Sequence, residues 1–215
     1  MTSRQTRREV RSGLIVLALT GPLFTAGIVL RGSIDITDTT SLLDEALTPG
    51  FTTGWVLIVL AFVLQLYGFF GLYRYLTSQS DSLIALLGFI LRIVGGAFGV
   101  APFIFLAVNG PAIAERQTQG DPSGSILLER FFNSGPGILI LAIAGTAAVA
   151  GFALFVIAMW RDGRLSKWTV TLFALSLPFL AIAVTFPTEL LGAILWLIST
   201  AVIAWRGWQE PLNAA

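Results

Sequence analysis

The chain contains neither cysteine nor histidine among its 215 residues. The absence of cysteine excludes disulfides, thiol catalysis and cysteine-ligated metals. The absence of histidine removes the usual haem ligand, the base of Ser–His catalysis and the commonest zinc ligand. The sequence also lacks a phosphate-binding glycine loop, paired intramembrane carboxylates and a nucleophile motif. We therefore expect no metal, no cofactor and no catalytic residue.

Charged residues are scarce as well. They make up 12% of the chain, against about 25% in a soluble domain, and 55% of the residues are hydrophobic. The apolar residues gather in six runs, at 14–30, 54–76, 83–108, 137–160, 167–186 and 189–208. Each run approaches or exceeds the roughly 20 residues with which an α-helix crosses a hydrocarbon core. The sequence predicts an all-α, polytopic membrane protein, with residues 1–215 forming a single domain of six transmembrane helices.

The basic residues at the ends of these runs fall mostly on one side of the predicted bundle. Nine lie on the side that holds both termini and the second and fourth loops: Arg4, Arg7, Arg8, Arg11, Arg74, Arg161, Arg164, Lys167 and Arg206. Three lie on the opposite side: Arg31, Arg116 and Arg130. Short loops rich in Lys and Arg stay in the cytoplasm. The pattern predicts three hairpins in a bacterial inner membrane, with both termini cytoplasmic. The N-terminal arginines are expected to contact anionic lipid rather than nucleic acid.

Tryptophans are expected to mark both membrane faces, because their amphipathic rings favour the interface. Four of them cluster at the predicted cytoplasmic face: Trp160, Trp168, Trp205 and Trp208. Trp55 is predicted to anchor the outer face.

The two predicted outer loops are long, at 31–53 and 109–136. Ser41 opens a capping-box-like segment that predicts about two helical turns, and Pro122 is suited to begin a second short helix. Turns are predicted at 109–111 and 133–137, where Asn, Gly and Pro cluster. The second short helix is expected to lie on the outer membrane surface. The alternative is a lid over an outward-facing cavity.

Each outward-running helix contains one proline: Pro22, Pro102 and Pro178. Proline cannot donate to the carbonyl four residues earlier, so the carbonyls of Ala18, Phe98 and Ala174 are freed and kinks are expected. Thr20 and Ser176, each two residues before a proline, are candidates to rebond that backbone. Two interpretations stay open: independent packing kinks, or a duplicated hairpin with a midplane site, as in transporters built from repeats.

Arg92 is the basic residue that the pattern places farthest inside a span. Helical spacing puts it on one face with four glycines: Gly88, Gly95, Gly96 and Gly99. Such residues let helices approach closely. If the helix enters the bilayer near Gly88, Arg92 lies one turn inside and snorkels to the cytoplasmic headgroups. If it enters at Leu83, Arg92 lies about 13 Å deep at 1.5 Å per residue and needs a partner or water. The functional interpretation is that Arg92 binds an anionic lipid phosphate or small anion.

Gln65 lies at the middle of the second span, where its amide is expected to bond to a neighbouring helix. With Arg92 it forms our candidate ligand-binding pair. The fourth span offers a second small-residue face: Ala144, Ala147, Ala148 and Gly151. This face is expected to contact another helix of the bundle or a second protomer.

Two segments carry a family resemblance. The third span contains Gly88-Phe-Ile-Leu-Arg92-Ile, and the fourth runs from Gly151-Phe-Ala-Leu to a basic loop ending Arg164-Leu165-Ser-Lys-Trp168. With its topology, the chain resembles a bacterial family of six-span membrane proteins of unknown function. The resemblance implies six spans and assigns no activity.

These observations favour a non-enzymatic membrane protein that binds a lipid or small ligand, or that scaffolds a complex. Its partners would be membrane lipids. It would also contact either a second copy of the chain or another membrane protein. The alternative is a small secondary transporter or exporter that uses the proline-containing helices. Against transport, no carboxylate or histidine lies deep in a span to couple protons. A membrane enzyme would have to use outer-loop acids such as Asp121 or Glu129, which are typical of solvated loops.

Overall fold

The computed structural model describes residues 3–33, 39–78, 82–181 and 186–209. Within these ranges the chain forms eight α-helices and no strand. They are α1 (Ser3–Arg31), α2 (Thr39–Ala46), α3 (Phe51–Leu76), α4 (Leu83–Thr118), α5 (Ser123–Asn133), α6 (Gly135–Asp162), α7 (Lys167–Ala181) and α8 (Phe186–Gln209). The prediction of an all-α fold is confirmed.

Five helices, α1, α3, α4, α6 and α8, are long and apolar enough to cross a membrane. α7 is apolar, but its 15 residues fall short of the roughly 20 that a span needs. The sequence predicts this span over 167–186, and residues 182–185 lie outside the described part of the chain. Five helices of spanning length are therefore found, and the sixth span stays a prediction.

Local signals explain where two of the long helices begin and end. Ser82 caps α4 by accepting from the Ala85 N–H at 3.2 Å, and Ser134 caps α6 by accepting from the Gly137 N–H at the same distance. α6 ends before Gly163, whose positive φ of 73° suits a residue without a Cβ.

The turn predicted at 109–111 is wrong, because α4 continues through it to Thr118. The Asn109 side chain donates to the Phe105 carbonyl at 3.1 Å, along the helix rather than across a turn. Gly110 packs under Phe51: a Cβ there would lie 2.8 Å from the ring. Pro111 removes one N–H donor, and packing against α3 keeps the helix continuous.

Both short helices predicted in the long loops are present. α2 begins two residues earlier than the Ser41 start, at Thr39. α5 follows Pro122 as expected. The predicted break at 133–137 is confined to Ser134, which separates the end of α5 from the start of α6.

All three prolines lie inside helices: Pro22 in α1, Pro102 in α4 and Pro178 in α7. Thr20 donates to the Leu17 carbonyl at 2.6 Å, not to the freed carbonyl of Ala18. Ser176 likewise donates to Phe173 at 2.6 Å. The expectation that these hydroxyls rebond the freed carbonyls is wrong, since each reaches three residues back instead.

The six longer apolar helices pack in a closed cycle, in the order α1, α3, α4, α6, α7, α8 and back to α1. Consecutive pairs α1–α3, α4–α6 and α7–α8 form the hairpins. Trp196 of α8 fills the centre, where its indole lies against four aromatic rings: Phe24, Phe69, Phe152 and Phe173. Its Nε1–H donates to the Thr20 hydroxyl at 2.9 Å, so this large polar group is satisfied inside the apolar core.

The bundle has two chemically different ends. At the terminal end, where α1 begins and α8 ends, Arg11 donates to the Trp208 carbonyl at 2.9 Å. At the loop end, where α1 ends and α8 begins, Arg31 forms an ion pair with Glu189. Both described chain ends therefore lie at the terminal end.

Candidate functional site around Arg92 and Gln65

Arg92 is positioned by a seam in which the backbones of α4 and α6 touch. We call this the α4–α6 seam and define it by Gly88 and Gly95 of α4 and Ala148 and Gly151 of α6. A Cβ on Gly95 would lie 2.6 Å from the Ala148 nitrogen, and one on Gly151 would lie 2.8 Å from the Arg92 nitrogen. Glycine is the residue that permits this approach.

Gly88, Gly95 and Gly99 of one predicted small-residue face lie against Gly151, Ala148 and Ala144 of the other, whereas Gly96 does not. Gly99 lies more loosely against Ala144, since a Cβ on it would be 3.9 Å from the alanine methyl. Gly96 faces α3 instead, where an added Cβ would lie 2.7 Å from the Leu66 side chain. α4 is therefore held between α6 and α3, and Arg92 lies where the three helices meet.

The Arg92 side chain points into the bundle and is 4% exposed. Its Nη2 donates to the Gln65 Oε1 atom, and its Nη1 donates to the Ala148 carbonyl at 3.4 Å. Its Cζ lies 4.5 Å from the centre of the Phe69 ring. The helix begins at Leu83, which puts Arg92 about 13 Å along it. The guanidinium therefore contacts neighbouring helices inside the bundle rather than lying on its surface.

Neutral groups surround the Arg92 charge among the described residues: an amide oxygen, a peptide carbonyl and an aromatic ring. The Nε atom is buried without a hydrogen-bond partner. Burying an ion costs several kcal/mol even after relaxation. A charge-assisted hydrogen bond returns about 1.5–3 kcal/mol and a desolvated cation–π contact about 2 kcal/mol. The site is left with an unneutralised charge and a free donor.

Arg31 shows how this fold treats its other described buried arginine. It is 3% exposed, but it pairs with the Glu189 carboxylate, and its Cζ lies 4.7 Å from the Trp55 ring. Trp55 is itself buried at 3% exposure, so the expectation that it anchors the outer membrane face is wrong. The contrast is in the counter-charge, which Arg31 has and Arg92 lacks.

Gln65 is 4% exposed and faces Arg92 across the α3–α4 interface. The structure thus brings together both residues of the candidate pair. Sequence reasoning missed Phe69, although its position four residues after Gln65 places it on the same helix face. It also missed the Ala148 carbonyl, because a backbone acceptor has no signature in the sequence.

No protein-family model matches this chain, and comparisons with curated proteins and with solved structures find no match. The family resemblance stays an expectation, and the function is argued from the site itself. The described site consists of the Arg92 donors, the Gln65 amide, the Ala148 carbonyl and the Phe69 ring, and the Nε–H of Arg92 is an unused donor.

Proposed function

We propose that this chain is a non-enzymatic, six-span protein of the bacterial cytoplasmic membrane that binds a lipid or small ligand at Arg92 and Gln65. The observation that carries the proposal is the buried Arg92 guanidinium, which is hydrogen-bonded to neutral acceptors and retains a free Nε–H. Ionisable residues inside membrane bundles are costly and usually serve binding or transport. A ligand with an acceptor group would supply what the site lacks.

The topology in this proposal rests on charge. The nine basic residues of the terminal end would lie in the cytoplasm, and α7 would supply the sixth span. α1 and α8 run antiparallel and contact each other at both ends of the bundle. The start of α1 and the end of α8 therefore lie at the same end, which supports an even number of crossings.

Native mass spectrometry of the protein extracted with its lipids tests the binding function. We expect a stoichiometric bound species in the wild type that is lost in Arg92→Gln and weakened in Gln65→Ala. Arg206→Gln is the matched control, since Arg206 is an exposed arginine at the terminal end of α8. A wild type without a bound species, or one retained equally by Arg92→Gln, would contradict the proposal.

Scaffolding is a second candidate, and the first turns of α6 are the surface that it would use. Ile138 and Leu139 are 55% and 60% exposed, and nothing lies within 4 Å of a Cβ added to Gly145. This stretch could meet a second copy or another membrane protein. A stable oligomer that carries no ligand would favour scaffolding over binding.

Transport is the remaining alternative, and the three prolines inside α1, α4 and α7 are its structural support. Flux of a bound ligand into sealed proteoliposomes would favour it. Binding without flux would leave the protein as a binder.

A further inference from the structure

We propose that the ligand of Arg92 is a monovalent carboxylate, bound side-on by the Nε and Nη2 atoms of the guanidinium. The inference rests on the proposed binding function and specifies the class of ligand. Nε–H and Nη2 share one edge of an arginine side chain, and two parallel hydrogen bonds from such a fork match the two oxygens of a carboxylate.

Only one of the two donors on that edge has a hydrogen-bond partner. Nη2 donates to the Gln65 Oε1 atom, while the neighbouring Nε has no partner. One neutral amide oxygen therefore stands where a carboxylate would place two. A carboxylate that arrives displaces the Gln65 carbonyl and engages both donors. The Gln65 amide can then rotate and donate an N–H to the same anion.

The charge of the site selects a monoanion. Arg92 contributes one positive charge, and its described contacts are all neutral. One negative charge balances the guanidinium. A dianion, such as a phosphate monoester, would bring an uncompensated negative charge into an apolar interior, where its desolvation is costly.

The surroundings favour a carboxylate that carries an apolar chain. The guanidinium lies against Phe69, within a bundle core of aromatic and aliphatic side chains. Beside Arg92 on α4, Ile90 and Ile93 are 47% and 41% exposed on the outer surface of the bundle. Each methylene of a chain favours transfer out of water, which concentrates such a ligand in the bilayer beside the site. A fatty acid therefore fits better than a short, water-soluble carboxylate.

Binding to protein in nanodiscs of phosphatidylcholine, followed by native mass spectrometry, tests the proposal. The probes are palmitate, butyrate and hexadecanol, which separate the carboxylate from the chain. We expect palmitate to bind one per protein, and hexadecanol at least tenfold more weakly. If butyrate binds as tightly as palmitate, the ligand is a carboxylate, but a water-soluble one without a long chain. Hexadecanol bound as tightly as palmitate would overturn the proposal.

Two substitutions separate the chemistry from folding. Gln65→Glu places a carboxylate on the guanidinium edge, so palmitate binding should be lost while the melting temperature is maintained or raised. Arg92→Lys keeps the charge but loses the fork, and palmitate affinity should fall at least tenfold. Arg206→Lys is the control and should bind as the wild type does. Undiminished palmitate binding by folded Gln65→Glu would overturn the proposal.

The failures of the two proposals can be told apart. A co-purified species that is lost in Arg92→Gln but is not a carboxylate would overturn this inference and leave the binding function standing. The absence of any bound species, co-purified or added, would overturn both.

Discussion

Arg92 of α4 donates a hydrogen bond to the side-chain oxygen of Gln65 on α3, and this bond joins a buried cation to a neutral amide. The arrangement binds the two helices together without neutralising the charge. Proteins often retain such destabilising groups where function needs them, at some cost in stability.

Removing the Arg92 charge should therefore change the stability of the ligand-free protein only a little. Arg92→Met keeps much of the apolar stem and removes the uncompensated guanidinium, but it leaves the buried Gln65 amide without its donor. We expect the free energy of unfolding to change by less than ~2 kcal/mol, because losing the buried charge offsets the unpaired amide. Thermal unfolding of delipidated protein in detergent measures it. A loss of more than ~3 kcal/mol would show that Arg92 is primarily structural.

The α4–α6 seam should be intolerant of even one methyl group. In Gly95→Ala the new Cβ would lie 2.6 Å from the backbone nitrogen of Ala148, so the helices must move apart. We expect a loss of ~1–3 kcal/mol in unfolding free energy. Gly145→Ala in α6 is the control, since nothing lies within 4 Å of its added Cβ, and it should be stabilised by ~0.5–1 kcal/mol. Equal effects of the two substitutions would argue against the seam.

The Arg31–Glu189 pair should show strong coupling. Glu189→Gln leaves Arg31 buried and without its counter-charge, which should cost ~3–5 kcal/mol. The double variant Arg31→Met, Glu189→Gln should recover most of that loss, because neither charge is then left unpaired. A double-mutant cycle from chemical unfolding measures the coupling energy. Additive single effects would show that the pair does not couple α1 to α8.

The start of α5 should respond to acid. The Ser123 N–H donates to the Asp121 carboxylate at 2.9 Å, and this bond holds the pKa of Asp121 below its ordinary value of 3.8. A depressed pKa stabilises the folded state above the unfolded pKa, and that contribution is lost as the pH falls through the folded value. The Ser123 amide resonance should therefore titrate with a midpoint below 3.8. Asp121→Asn should abolish the titration, and a wild-type midpoint above that value would contradict the assignment.

Sequence patterns predict the coarse fold because lipid imposes a simple rule of length and hydrophobicity on a spanning helix. The same patterns mislead where tertiary contacts outweigh local signals. Asn109-Gly110-Pro111 has the composition of a turn, yet packing against Phe51 keeps it helical. Trp55 has the composition of an interfacial anchor, yet it lies buried under Arg31. In both cases the deciding contact comes from another helix.

The sequence identifies two residues of this cluster but not the geometry that joins them. Helical spacing identifies Arg92 with its glycine face and Gln65 as a mid-span amide. It does not show that the two share a hydrogen bond, because the relative rotation of α3 and α4 follows from packing. The partners Phe69 and Ala148 depend on that rotation as well.

The close backbone contact of α4 and α6 also constrains how this sequence can diverge. A larger side chain at Gly95 needs more room opposite it, and Ala148 could yield at most one methyl group. In related sequences we therefore expect positions 88, 95, 148 and 151 to stay small or to change in compensating pairs. The neighbouring exposed positions of the same helices should drift freely among apolar residues.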